Sequence, residues 1–199
     1  MTNEAYSEAW LLISTSASGA PDTLRVHIWR RLRSLGAVYL QQSVCLLPAR
    51  PDVVREIRRL SDRIRHQGGA IRVLSIAFTD PGEEQALIAE FNAARNAEYA
   101  EVLDRLPELR KELAYERSRG NATYAEVEES EADLERFRGW LAKITNRDYF
   151  RADGGQVVRD AVAQAATELA AFEDAALRAE APDLPLTTRA MPIRAVDGS

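Results

Sequence analysis

An α+β fold is predicted for this chain of 199 residues, and three observations predict it. Apolar strand-like runs and arginine-rich helical periods follow one another in the order β-α-β-β-α-β through the first 80 residues. Beyond Asp80-Pro81-Gly82 the apolar patterns all have helical period. The charge reverses at the same place. Residues 1–80 carry eleven arginines against seven acidic residues, a net +4, and residues 81–199 carry fifteen basic against twenty-four acidic residues, a net −9. In that element order two helices can cover one face of a four-stranded antiparallel sheet, the ferredoxin-like βαββαβ plan. The expected organisation is a ferredoxin-like domain over 1–80, a helical extension (an antiparallel bundle or hairpin) over 81–180, and a mobile tail over 181–199, where three prolines and no apolar period fall.

The first run, residues 9–15, is apolar on both faces, with Leu11 and Ile13 on one and Trp10 and Leu12 on the other, which suits a central strand. Pro21 or Asp22 opens a helix whose Leu24, Ile28, Leu32 and Leu35 fall in one narrow arc. Arg30 and Arg33 then point away from the core while Arg25 and Arg31 flank the stripe, and Gly36 ends the helix. Val38–Gln41 and Ser43–Leu47 read as a hairpin closed by Pro48. Pro51 starts a second helix with Val53, Ile57, Leu60 and Ile64 inward and Arg55, Arg58, Arg59, Arg63 and Arg65 on its other faces; Gly68-Gly69 stops it. Ala70–Phe78 is the last strand, with Leu74, Ile76 and Phe78 on one face.

In the acidic part, residues 83–105 form a helix that Pro107 should kink or break, since an interior proline costs about 3 kcal/mol. Thr123 and Glu126 have capping-box spacing and open a helix with the stripe Val127, Ser130, Leu134, Phe137, Leu141 and Ile144. After the loop Asn146–Gly155 a further helix carries Val158, Val162, Ala165, Leu169, Phe172 and Leu177. Two helices on one face of a sheet leave the other face bare, so Trp10, Leu12 and Leu74 need cover from the helical part or from a partner, and a homodimer is one way to supply it.

Few function classes survive the composition. The N-terminus lacks a basic leader pattern and the apolar runs are too short for a membrane span, so a soluble cytoplasmic protein with no membrane partner is expected. The single Cys45 excludes an intrachain disulfide and a multi-cysteine zinc site. Neither a P-loop nor a Gly-rich dinucleotide fingerprint occurs, His27 and His66 lack metal-ligand spacing, and no cofactor is expected. Ser14-Thr15-Ser16 and Ser18-Gly19, between a strand and a helix, hold an anion or simply cap the helix. The acidic run from Glu126 to Glu135 reads as a solvated helix face. Guanidinium forks match oxyanions and phosphates, which makes Arg25, Arg30, Arg31, Arg33, Arg55 and Arg58 the candidate anion- or DNA-binding residues; the competing reading is a plain polar helix face. Arg147, Asp148 and Tyr149, with Phe150, either pin a loop or line a pocket.

Trp10-Leu11-Leu12, Arg25-Val26-x-x-Trp29-Arg30-x-Leu32, Gly36-Ala37 and Val44-Cys45-Leu46-Leu47-Pro48 together resemble the N-terminal region of ChrB-type chromate-resistance proteins. The helical part is similar too, in Phe91, Glu98-Tyr99, Glu112-Leu113, Thr123-Tyr124-x-Glu126 and Asn146-Arg147-Asp148-Tyr149-Phe150, so the likeness spans about residues 9–180. The resemblance implies a ferredoxin-like domain with a helical extension and chromate-responsive control of a chromate efflux transporter gene. Longer members carry a C-terminal region, and one partner the resemblance allows is a separate chain that supplies it. A more distant likeness is to the ferredoxin-like part of phenylacetate-type repressors, whose winged helix does not precede this sheet, and of CRISPR adaptation nucleases. The first strand ends in Ser14-Thr15-Ser16 rather than in an aspartate, which argues against metal-dependent cleavage. The expected function is therefore a chromate-responsive regulator binding chromate or another oxyanion, or promoter DNA, through its arginines. Its alternatives are a dimeric interaction module that binds no DNA and, third, a small-anion enzyme such as a chromate reductase.

Overall fold

The computed structural model describes residues 9–16, 21–119 and 123–180. Its elements are β1 (Trp10–Ser16), α1 (Asp22–Ser34), β2 (Val38–Gln41), β3 (Val44–Pro48), α2 (Pro51–His66), β4 (Ala70–Ile76), α3 (Pro81–Arg119), α4 (Tyr124–Thr145) and α5 (Gly154–Glu180). The strands form one sheet in the order β2-β3-β1-β4, every neighbour antiparallel, so β1 is central as its two apolar faces require. This is the ferredoxin-like arrangement.

Register fixes which residues share a face. Leu11 sits opposite Leu47 and Ile13 opposite Cys45. These four, with Ile71, join the stripes Leu24, Ile28, Leu32 of α1 and Val53, Ile57, Leu60, Ile64 of α2 in one buried cluster. Gly36 takes φ +75° just after α1, a conformation that costs a side-chain residue a Cβ clash, and turns the chain into β2.

The opposite face holds Trp10, Leu12, Leu46 and Leu74, and its cover is partial. Trp10 is completely buried, packed among Phe78 (T-shaped, 5.8 Å), Phe91 (5.8 Å) and Phe150 (5.5 Å), with its Nε1 donating to Glu84 Oε1 at 2.8 Å. The start of α3 and the α4–α5 loop therefore supply that cover from within the chain, while Leu74 stays 53% exposed. Phe78 reaches Trp10 from beyond the strand, because β4 ends at Ile76.

A second buried cluster lies among α3, α4 and α5, around Tyr99, Val102, Leu106, Leu134, Ile144, Val158 and Phe172. The expected capping box is present: Thr123 Oγ1 accepts from the Glu126 amide and the Glu126 carboxylate accepts from the Thr123 amide. Two expectations are corrected here. The helix is not broken at Pro107, which lies inside a continuous 39-residue α3. Its missing donor is outweighed because Leu106, Leu109 and Leu113 on either side all bury against the neighbouring helices. Leu177 is half exposed, and Ala176 takes the buried position in its turn of α5. The expected tail, 181–199, lies outside the described residues. Among the described residues no helix is long and apolar enough to cross a membrane.

Candidate functional site

Successive residues of α1 step by 100°, and that step sorts its arginines onto different flanks. With Leu24, Ile28 and Leu32 inward, Arg31 and His27 fall on the flank toward α2. Arg31 there binds the Glu56 carboxylate, which also accepts from Arg59 at 2.7 Å, and His27 Nε2 lies 3.2 Å from Arg63 Nη1. Arg31 is thus a clamp between the two helices. Arg30 falls on the crest of α1 and Arg55 on the crest of α2, with Arg58 on the α2 flank away from α1. Among the described residues Arg30, Arg55 and Arg58 have no ion pair. Arg25 has only Asp22, one turn back at 4.0 Å with both groups largely exposed, an arrangement worth little in water.

The remaining flank of α1 faces the β2 edge of the sheet and forms a groove of about 570 Å³. Arg25, Val26, Ile28 and Trp29 make one wall, Thr15 and Ser16 the floor at the end of β1, and Tyr39, Gln42 and Ser43 the other wall on the hairpin. Arg33 stands over the Trp29 ring, 5.1 Å from its centroid, one turn further along the same flank. Trp29 is 48% and Tyr39 37% exposed. Burial of the Tyr39 hydroxyl, next to Cys45, pushes its pKa up to about 12 against a weaker pull from Arg33, so the phenol is a neutral donor.

Arg147, Asp148 and Tyr149 come together elsewhere, in the loop that ties the two clusters to each other. Glu98 on α3 receives Arg147 through Nε (3.1 Å) and Nη2 (2.8 Å) on one oxygen and Arg95 Nη2 (3.0 Å) on the other. Asp148 accepts from Tyr99 Oη at 3.0 Å and from the Ala152 amide at 2.9 Å. The Tyr149 hydroxyl donates to the Leu35 carbonyl at 2.8 Å, at the end of α1, while its own carbonyl accepts from Arg50, whose guanidinium also lies over the Tyr149 and Phe150 rings. Arg95 is buried beside Gly36, and desolvation lowers its pKa despite Glu98. These three residues are engaged in the fold's own contacts.

The other candidates separate. Cys45 is buried, which pushes its thiol up to about 12 and leaves it protonated. His27 sits at the α1–α2 seam and His66 in the last turn of α2. Ser18-Gly19 lies outside the described residues. No group of three or more His, Cys, Asp or Glu suited to a metal ion occurs among the described residues. Sequence reasoning does not reach Trp29 and Tyr39 as site residues, although Trp29 stands off the inward stripe of its helix.

The family model described as "Protein ChrB, N-terminal" matches residues 25–182, more than half of the chain. This chain belongs to that family. Protein ChrB of Cupriavidus metallidurans (strain ATCC 43123 / DSM 2839 / NBRC 102507 / CH34) is 31% identical over 106 residues. That stretch covers 53% of this chain and 32% of the relative, so the match spans about a third of the curated protein's length. The region matched by the ChrB family model begins at Arg25 and takes in both arginine helices, the α1 wall of the groove and the α4–α5 loop.

Proposed function

We propose that this ChrB-family chain serves in the regulation of chromate resistance, contacting DNA phosphates near the genes of a chromate efflux system through the crest of α1 and α2. One observation carries the reading. Among the described residues no carboxylate of α3–α5 pairs with Arg25, Arg30, Arg33, Arg55 or Arg58, and those that form ion pairs across or along these helices, Glu98, Glu101, Asp133, Glu135 and Glu168, do so with arginines of the same part of the chain. The acidic part therefore leaves these guanidiniums available. Their spread over two helix surfaces favours an extended polyanion, whose phosphates recur along its length, over a single tetrahedral ion, which needs donors converging on one point. Chromate remains the proposed signal.

The test is fluorescence anisotropy with duplex from the upstream region of the gene, measured against salt. The logarithm of affinity should fall linearly with log salt, and the triple variant Arg30→Gln, Arg33→Gln, Arg55→Gln should lower the slope by about 0.9 for each phosphate that is no longer neutralised. A salt-independent affinity removes the reading. Calorimetry with chromate, sulfate and phosphate tests the oxyanion arm separately. A second reading, a dimeric interaction module without DNA binding, is favoured by the exposed Leu40 (54%) and Leu74 (53%) on the edge strands. It expects a dimer by light scattering and no mobility shift.

A further inference from the structure

We propose that the groove between α1 and the β2–β3 hairpin accepts an unpaired nucleotide, its base lying on Trp29 and its phosphate held by Arg25 and Arg33. The proposal rests on the reading above, because the two arginines are shared, but it assigns a separate place and a separate ligand class.

The composition of the groove points to this ligand. Trp29 and Tyr39 are large aromatic side chains, 48% and 37% exposed, that line one depression. Exposed aromatics beside guanidiniums are the surface on which bases stack while the backbone is neutralised. Among the described residues no carboxylate lines the groove, and Asp22, 4.0 Å from Arg25, is almost fully exposed. Arg33 rests over the indole and holds its orientation. The hydroxyls of Thr15 and Ser43 and the neutral phenol of Tyr39 offer hydrogen bonds to a base edge, which a purely electrostatic phosphate site would not need.

Size separates the alternatives. About 570 Å³ lies within the range of small-molecule sites and takes a base with its sugar and phosphate, whereas a tetrahedral oxyanion would leave both aromatic rings uncovered. A duplex keeps its bases stacked within the helix, so it meets the crest arginines but cannot lay a base on Trp29. The ligand is accordingly a nucleotide outside a duplex, carried by a single strand or free in solution.

The test titrates the whole chain with a ten-residue oligothymidylate, with duplex and with thymidine monophosphate, following tryptophan fluorescence and anisotropy. Of the three tryptophans Trp10 is fully buried, so quenching that disappears in Trp29→Leu reports the groove. The oligonucleotide should quench the wild type, and Trp29→Leu should weaken its binding by roughly tenfold or more while duplex affinity changes by less than about twofold. Because Trp29 is half exposed, the variant should keep its circular dichroism and melting temperature; Tyr39→Phe retains the ring and should retain most of the affinity. Equal binding of the monophosphate and the oligonucleotide supports the site and makes the free nucleotide its ligand. Oligonucleotide affinity unchanged in Trp29→Leu overturns the proposal and leaves the duplex reading standing. Loss of the duplex salt dependence overturns that reading instead, with quenching at Trp29 still measurable on its own.

Discussion

Replacing Tyr149 by phenylalanine deletes a single hydroxyl from the joint between the arginine helix and the helical part. In the folded chain that hydroxyl is buried and donates to the Leu35 carbonyl at 2.8 Å. At neutral pH the variant loses one neutral hydrogen bond and leaves a half-buried carbonyl short of a donor, a cost of about 1 to 1.5 kcal/mol. The pH dependence carries the sharper expectation. Burial, with Asp52 adding to it and Arg50, Arg95 and Arg147 opposing, pushes the Tyr149 pKa from 10.0 up to about 12. The unfolded chain releases this proton from about pH 10 while the folded chain holds it, so the contribution is complete below pH 10 and is lost as pH rises toward 12. The full loss is about 2.7 kcal/mol, of which about 1.4 is gone by about pH 11. Wild type should therefore be the more stable protein at about pH 8, should match Tyr149→Phe near about pH 11, and should fall below it beyond. Tyr39, Tyr99 and Cys45, all raised mainly by burial, titrate in both proteins and cancel in the difference. Urea denaturation followed by circular dichroism at a series of pH values measures that difference. A gap that stays constant from about pH 8 to about pH 12 would refute the placement of the phenol in a dry joint.

Three further outcomes follow from the same packing. Gly36→Ala should lower stability by about 1 to 3 kcal/mol, since φ is +75° and a Cβ would run into the Arg95 guanidinium; differential scanning calorimetry reads the drop. Trp10→Ala should cost about 4 kcal/mol from the emptied space among Phe78, Phe91 and Phe150 alone, and loss of the indole donor to Glu84 adds to it; a variant melting with the wild type would contradict the burial. Pro107→Ala should stabilise the chain by about 1 to 2 kcal/mol by restoring a donor inside α3, visible as a higher denaturation midpoint at unchanged slope.

Local spacing made most of the fold legible. The 24/28/32 and 53/57/60/64 stripes give both sheet-covering helices to within a residue or two, and Thr123 with Glu126 gives the start of α4, because each depends on side chains within one or two turns. Pro107 does not end α3, because propensity is a local cost and burial of Leu106, Leu109 and Leu113 a tertiary gain that no window of sequence contains. The candidate site divides in the same way. The outward direction of Arg30 follows from the stripe, whereas the engagement of Arg31 depends on Glu56, 25 residues away, and the anchoring of Tyr149 on Leu35, 114 residues away. The position of Trp29 off the stripe was a readable signal for the groove; its opposite wall, Tyr39, becomes a neighbour only once the hairpin folds back beside α1.

The same geometry explains how an acidic chain can present a basic surface. Among the described residues several carboxylates of α3–α5 pair within their own helices, Glu101 with Arg105, Asp133 with Arg136 and Glu135 with Arg138, or across them, Glu168 with Arg110 and Glu98 with Arg95 and Arg147, and none of these pairs reaches the outer arginines of α1 and α2. The contacts that join this part to the sheet include rings around Trp10, the Trp10 indole on Glu84, Arg50 on the Tyr149 carbonyl and over its ring, and a phenol on a backbone carbonyl. None of these contacts draws in Arg25, Arg30, Arg33, Arg55 or Arg58. At physiological salt, exposed charges act over about 8 Å, so a phosphate approaching the crest senses Arg30 and Arg55 far more than the sum over the chain. A formal net charge of −5 is accordingly no obstacle to polyanion binding, and the salt dependence of that binding should count the local arginines rather than the net charge.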